Sequence, residues 1–312
     1  MAEQRGLRKL TRADIVIVGV VCLLLILLVP VLFAKPREQA IRKVCAANLA
    51  QIGKAMFLYA GDNEGALPRA GGPSTVWGTM LANGWTALDR RAAFGLSHDG
   101  EGGVASINSS FYLLVKYLHV SPRLFVCAAD RGTTEFKLSG LVGVPADFGL
   151  SDAWDFGPPY KSAMHCSYAY HIPYSLYALN TSLDPNLAVA ADRNPWIASP
   201  ASAAGTWADF RPDITYPGGP AGKSEYARRG NSITHQRDGQ NVLFLDGRVT
   251  FEKRAYCAVD KDNIYTISCD VFEGRGDPYG MLPVHGSWCA PTNRKDSVLV
   301  HDPPTIPDTR KR

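Results

Sequence analysis

The sequence predicts an α+β protein: a long N-terminal transmembrane helix continues into an amphipathic helix, which packs on an antiparallel β-sheet domain with long loops. Three observations predict it. Residues 15–34 form an uncharged, apolar run of twenty residues. Apolar residues then recur at three- and four-residue steps from Ile41 to Tyr59, the spacing of one helix face. Near the far end of the chain, Asn241–Leu245 and Arg248–Glu252 flank an Asp246-Gly247 pair, which reads as a β-hairpin closed by a two-residue type I′ turn.

Twenty helical residues at about 1.5 Å each match a hydrocarbon core of roughly 30 Å, so 15–34 reads as one membrane crossing. The run ends at Phe33, Ala34, Lys35 and Pro36, without the small-x-small site of a cleaved signal peptide, and is read as an uncleaved anchor. Arg5, Arg8, Lys9 and Arg12 precede it, and Lys35, Arg37, Arg42 and Lys43 follow; with basic residues on both sides, the positive-inside rule assigns no orientation. The amphipathic segment, 35–61, places Ile41, Val44, Cys45, Leu49, Ile52, Met56 and Tyr59 on one face. Gly61 and the polar turn Asp62, Asn63, Glu64, Gly65 end it. The organisation is therefore an N-terminal segment 1–14, the span 15–34, the helix 35–61, a domain 62–301, and a tail 302–312 whose prolines and charges predict disorder.

Within the domain, 111–118 reads as a second helix, and 124–127, 166–171 and 187–191 read as strands. The glycine- and proline-punctuated stretch 132–159 reads as a surface loop, and 194–225 as irregular chain. Seven cysteines are present. Cys22 lies in the apolar run, which leaves Cys45, Cys127, Cys166, Cys257, Cys269 and Cys289. An even set of six fits disulfides in an oxidising compartment, and buried thiols fit equally well. The pairing is open, with Cys257–Cys269 preferred because it closes a short loop. No CxxC pair exists, which excludes zinc-ribbon and thioredoxin-like sites. A net charge of +4 without a basic stripe excludes a nucleic-acid surface. Neither GxSxG, HExxH nor a P-loop occurs, so the chain is not read as an enzyme and no catalytic residue is assigned.

Two separated segments point the same way. The first holds Arg37 and Glu38, then Cys45, Asn48, Leu49, Gln51, Ile52 and Gly53, then Tyr59, Asp62 and Asn63. The second runs from Asn231 to His235 and from Asp238 to Val249, with Asp262–Thr266 behind it. Together they resemble the type IV pilin-like and type II secretion pseudopilin-like proteins common in planctomycetes, which carry a C-terminal H-X9-DG domain. The resemblance covers about a third of the chain. It implies a membrane-anchored structural protein, a subunit or partner of a type II secretion- or type IV pilus-like assembly, formed with its own copies or with other pilin-like subunits. It also implies a cell inner membrane location, single-pass, with segment 1–14 cytoplasmic and the domain periplasmic. His235, Gly239, Gln240, Asn241, Asp246 and Gly247 then belong to a structural hairpin motif, and Asp14 to a contact with a neighbouring subunit or a lipid headgroup. Two departures stand out: Lys9 occupies the place of the prepilin glycine, and ten residues rather than nine separate His235 from Asp246.

His235, Asp238 and Asp246 are of metal-ligand type, although Asp246 is equally accounted for by a turn. Asp62, Asn63 and Glu64 offer hard oxygens to calcium, without the EF-hand pattern; no other cofactor is expected. Two rival readings remain. One is a tethered binding protein in which Trp77, Trp85, Trp154, Trp196, Trp207 and Trp288 line a carbohydrate or peptide groove. The other is a periplasmic hydrolase using His235 and Asp246.

Overall fold

A computed structural model describes residues 11–79, 84–139, 141, 143–207, 228–268 and 280–304, without the side chains of 26–35. The chain divides into two units, Met1–Ile41 and Arg42–Arg312. Helix α1, Arg12–Gly61, contributes to both.

In the first unit, α1 begins with a capping box that the sequence contains as a Thr-x-x-Asp spacing. The Thr11 amide and hydroxyl both donate to Asp14 Oδ2, at 2.8 and 2.7 Å, and the Asp14 amide donates back to Thr11 Oγ1 at 3.3 Å. These bonds satisfy amides that the first turn leaves unpaired, and they hold the Asp14 carboxyl below the usual carboxylate range, the Thr11 backbone bond first. Ile15, Val16, Ile17, Val18, Val20, Val21, Leu23, Leu24 and Leu25 are exposed.

Among the described residues, no helix is long and apolar enough to cross a membrane. This overturns the expected transmembrane helix at 15–34 and, with it, the prepilin-type N-terminal helix and the single-pass inner-membrane localisation. The described apolar side chains of this stretch run from Ile15 to Leu25. The rest of the expected span, 26–34, falls where side chains lie outside the described residues.

In the second unit the architecture is α+β, around an antiparallel sheet. The amphipathic part of α1 buries Cys45, Leu49, Ile52 and Met56, most of the face that the spacing predicts, whereas Val44 of that face is exposed. The five-stranded sheet consists of β3 Tyr168–His171, β4 Ala188–Asp192, β5 Gln240–Phe244, β6 Val249–Glu252 and β7 Leu299–Val300. Its order is β6-β5-β4-β3-β7, and every pair is antiparallel. Strands β3, β4 and β5 are buried along their whole length, so both faces of the sheet are covered. Successive side chains of a strand alternate between faces. Val242 and Phe244 join a cluster with Trp196, Ile264, Tyr265 and Leu299, while Leu243 meets α1 at Gly53. A Cβ on Gly53 would lie 2.8 Å from Leu243 Cδ1, so the absence of a side chain there lets helix and sheet approach.

The β5–β6 hairpin forms in the register Gln240↔Glu252 through Leu243↔Val249, but its turn differs from the expected one. A type I′ turn requires positive φ at both central residues. Here Gly247 alone is left-handed, with φ 86°, and Asp246 is not. The Gly247 amide donates to Phe244 O at 2.9 Å and the Phe244 amide to Arg248 O at 3.0 Å. The loop is the three-residue Leu245-Asp246-Gly247, in which glycine supplies the left-handed residue.

Two short strands, β1 Val76–Trp77 and β2 Val104–Ala105, pair in parallel. Around them lie the short helix α2, Arg90–Phe94, and helix α3, Ile107–Leu118. Helix α3 starts four residues before the expected segment because Ser106 caps it, accepting the Ser109 amide at 2.8 Å. Of the expected strand 124–127, residues 124 and 125 belong instead to a 3-10 turn, Pro122–Phe125, led by Pro122; proline fixes φ for a helical first position. The loop 132–159 is not purely superficial, since Phe136, Trp154 and Phe156 are buried. Nor is the tail disordered from residue 302: Asp302 is fully buried, and residues 305–312 lie outside the described residues.

Candidate functional site

The two segments that carry the family resemblance meet in one buried clamp between α1 and the sheet. Cys45 on α1 and Cys127, after the 3-10 turn, form a disulfide across 82 residues of sequence, and both are fully buried. Around it, Tyr168 OH donates to Cys45 O at 3.3 Å and Asn48 Nδ2 donates to Val126 O at 3.2 Å.

His235 closes the clamp from the second segment. Its Nε2 lies 3.9 Å from Cys127 Sγ, 3.2 Å from Asn241 Nδ2 and 3.4 Å from Asp192 Oδ2. His235, Asp192 and Asn241 are all buried. The tautomer of the imidazole decides whether Nε2 accepts from Asn241 or donates to Asp192. Asp192 Oδ2 also accepts the Asn241 amide at 2.7 Å, while Oδ1 has no hydrogen-bond partner among the described residues. Burial pushes the Asp192 carboxyl up to about 6, against the opposing pull of His235. The Tyr265 hydroxyl, from the Asp262–Thr266 segment, donates to Asp192 O at 2.8 Å.

The remaining motif residues pin the chain around this centre. Asn231 Nδ2 donates to Arg237 O and Lys253 O at 3.0 and 2.8 Å. Gln240 accepts the Ser232 amide at 3.2 Å and donates to Glu252 O at 3.1 Å. Gly239 leaves room for Glu252 O, which a Cβ would approach to 2.3 Å. Asp238 is half-exposed and pairs with Arg42 of α1 and with Arg228, each at 2.7 Å. The Arg42 guanidinium also lies over the Phe251 ring, 4.5 Å from its centroid. Asp246 is exposed in the hairpin loop, where Oδ1 accepts the Arg248 amide at 3.0 Å and Oδ2 pairs with the Arg248 guanidinium.

The expected ligand set therefore does not assemble. His235 is enclosed, Asp238 is tied to two arginines, and Asp246 sits in the hairpin loop beside Arg248. Without solvent access, His235 is not placed to act on a substrate with Asp246. Among the described residues, the one group of three metal-ligating side chains within 4.8 Å is Cys45, Cys127 and His235. Its two sulfur atoms are bonded to each other, whereas a metal takes thiolates. At the end of α1, Asn63 donates to Tyr59 O at 2.7 Å.

The tryptophans do not line a groove. Trp77, Trp85, Trp154 and Trp196 are buried, while Trp288 is exposed. Of the expected Cys257–Cys269 pair, Cys257 is a half-buried thiol donating to Ala255 O at 3.6 Å, and Cys269 lies outside the described residues. Asp14 caps its own helix.

Sequence reasoning missed two further buried networks. Asp302 accepts Trp77 Nε1, the Ile107 amide and the Asn108 amide at 2.9, 3.1 and 2.7 Å. It thus fastens the end of the described chain to the N-terminus of α3, where the helix dipole favours an acidic group. Burial pushes it up to about 6. Nearby, Asp155 accepts from the Ser106 hydroxyl at 2.6 Å, and burial followed by repulsion from Asp302 pushes it up to about 8. Arg193 and Asp130 form a buried ion pair at 2.7 Å, completed by Arg193 donating to Ala163 O. No family model matches this chain, and no curated protein or solved structure matches it.

Proposed function

We propose that this protein is a pilin-like structural subunit, in which the H-X9-DG-type sheet domain is clamped to α1 and α1 is the element of assembly with further copies or related subunits. The resemblance stated above supports the kind of assembly: type II secretion-like or type IV pilus-like. The observation that carries the reading is the use of the motif residues. Cys45, Asn48, Gly53, His235, Gly239, Gln240 and Asn241 all serve the junction of helix and sheet. None of these side chains presents a reactive group to solvent. The role they support is mechanical rather than catalytic.

The first part of α1 supports the assembly half of the proposal. Contiguous apolar surface of this kind marks an interaction site rather than ordinary protein exterior, and Ile15–Leu25 presents nine exposed large apolar side chains. Ordered self-association through this segment is the test. Cysteine crosslinking along it should give discrete oligomers, and a chain that stays monomeric would refute the reading. A binding-protein role based on tryptophans finds no support in their burial.

A further inference from the structure

A pocket of about 290 Å³ lies in the second unit, walled by Leu67, Arg69, Pro73, Pro173, Leu176 and Leu179. Its volume is close to the roughly 300 Å³ at which small-molecule sites begin. The lining mixes apolar and polar groups, Tyr170, His171, Ser175 and Asn180 among the latter, and one charged side chain stands out. Arg69 is half-buried, yet its side chain makes no hydrogen bond or ion pair among the described residues; only its carbonyl is engaged, by Arg90 Nη2 at 3.2 Å.

That cation is costly as it stands. Burial first and the like charge of Arg90 second both push the Arg69 guanidinium down from its ordinary value, with only a partial pull in the other direction from Glu101. Arg90 is already committed to the carbonyls of Ala70 and Gly71 at 2.9 and 3.1 Å. Glu101 is likewise committed, accepting the Ser74 amide at 3.2 Å. A second polar group borders the same space: Ser175 is buried, and its oxygen accepts the Tyr177 amide at 3.0 Å, leaving its hydroxyl proton uncommitted among the described residues. Buried polar groups are ordinarily paired, and a charged one most of all.

We propose that this pocket binds a small organic carboxylate, with the carboxylate on Arg69 and an apolar body against Leu67, Leu176 and Leu179. A guanidinium matches a carboxylate with two parallel hydrogen bonds. One unpaired guanidinium balances a monoanion rather than a dianion such as phosphate, and Leu67, Leu176 and Leu179 favour a ligand with an apolar body over a strongly hydrated one. Leu176, 87% exposed, forms an apolar rim at the mouth.

The test uses the full chain with three probes: hydrocinnamate, its neutral isostere hydrocinnamamide, and inorganic phosphate, measured by calorimetry and ligand-observed NMR. Saturable binding of hydrocinnamate, at least tenfold tighter than of the amide or phosphate, is expected. Arg69→Gln should weaken hydrocinnamate at least tenfold and leave the amide unchanged. Its melting temperature should match the wild type, because the side chain has no hydrogen bond to lose. Leu176→Asp, at the exposed rim, should also weaken hydrocinnamate without unfolding the protein. The proposal is overturned if hydrocinnamate does not bind, if the amide binds equally well, if phosphate binds more tightly, or if Arg69→Gln binds hydrocinnamate like the wild type.

Discussion

His235 Nε2 lies 3.4 Å from Asp192 Oδ2, with both side chains closed off from solvent. Two ionisable groups are thus held together behind the disulfide of α1, where they position chain rather than react with a ligand. Removing the imidazole leaves a cavity and strips a partner from Asn241 and Asp192. His235→Ala should therefore cost about 2–4 kcal/mol of stability, read by urea unfolding. A cost within about 0.5 kcal/mol, the range of an ordinary surface substitution, would deny the clamp.

The Asp192 carboxyl gives that junction a pH signature. Its folded value, about 6, stands above the ordinary 3.8 because burial penalises the charged form. Its contribution to stability is therefore fully present below pH 3.8 and is lost as pH rises through about 6. Asp192→Asn keeps an acceptor for the Asn241 amide and removes the titration. The stability of wild type relative to this variant should fall between pH 4 and 6 and level off above. A difference that is flat with pH would contradict the assignment.

Asp155 extends the same logic to higher pH. With a folded value of about 8, its stabilising protonated form should be lost across pH 4 to 8, at about 1.4 kcal/mol per unit of displacement. Asp155→Asn should thus gain on the wild type steadily through neutral pH. Parallel stability curves for the two proteins would show that Asp155 is not protonated in the fold.

Gly53 and Leu243 set the distance between helix and sheet. Replacing Gly53 by Val forces side-chain volume into a contact where even a Cβ falls at 2.8 Å, and overpacking of this kind costs about 1–3 kcal/mol. Leu243→Ala in the same chain should restore part of that loss, with a coupling of about 1 kcal/mol in a double-mutant cycle. Strict additivity of the two substitutions would mean that the residues do not share the space.

The disulfide closes a loop of 82 residues, for which chain entropy gives about 4 kcal/mol. Cys45→Ala with Cys127→Ala should lower the unfolding midpoint accordingly while keeping the native circular dichroism at low temperature. An unchanged midpoint would show that the bond does not hold helix and domain together.

Much of the second unit was legible because its elements have clean periods. The α1 face through Cys45, Leu49, Ile52 and Met56 follows helical spacing, and β3, β4 and β5 are short apolar runs between breakers. The hairpin was legible but not its turn, because Asp-Gly suits both a two-residue and a three-residue loop and Leu245 decides between them only through the sheet register. The clamp was not legible. Cys45 and Cys127 carry no local signal of partnership at such separation, and Asp192 reads only as the polar end of an apolar strand. Asp14 could have been recognised as a cap from the Thr11 spacing alone. The twenty-residue apolar run was over-read: its sequence length implied a membrane span, whereas among the described residues no helix is long and apolar enough to cross one.

The central claim is assembly through α1, and Cys22 offers a direct probe, being an exposed free thiol in the apolar segment. Ile15→Cys adds a second thiol two turns away on the same face. Oxidative crosslinking of the full chain expressed in cells should then yield a ladder of dimers, trimers and larger species. Among the described residues Cys22 is the one exposed free thiol of the wild type, so crosslinking through this segment should stop there at dimers, and those dimers should be lost in Cys22→Ser. An Ile15→Cys chain that remains monomeric under the same oxidation would contradict the account.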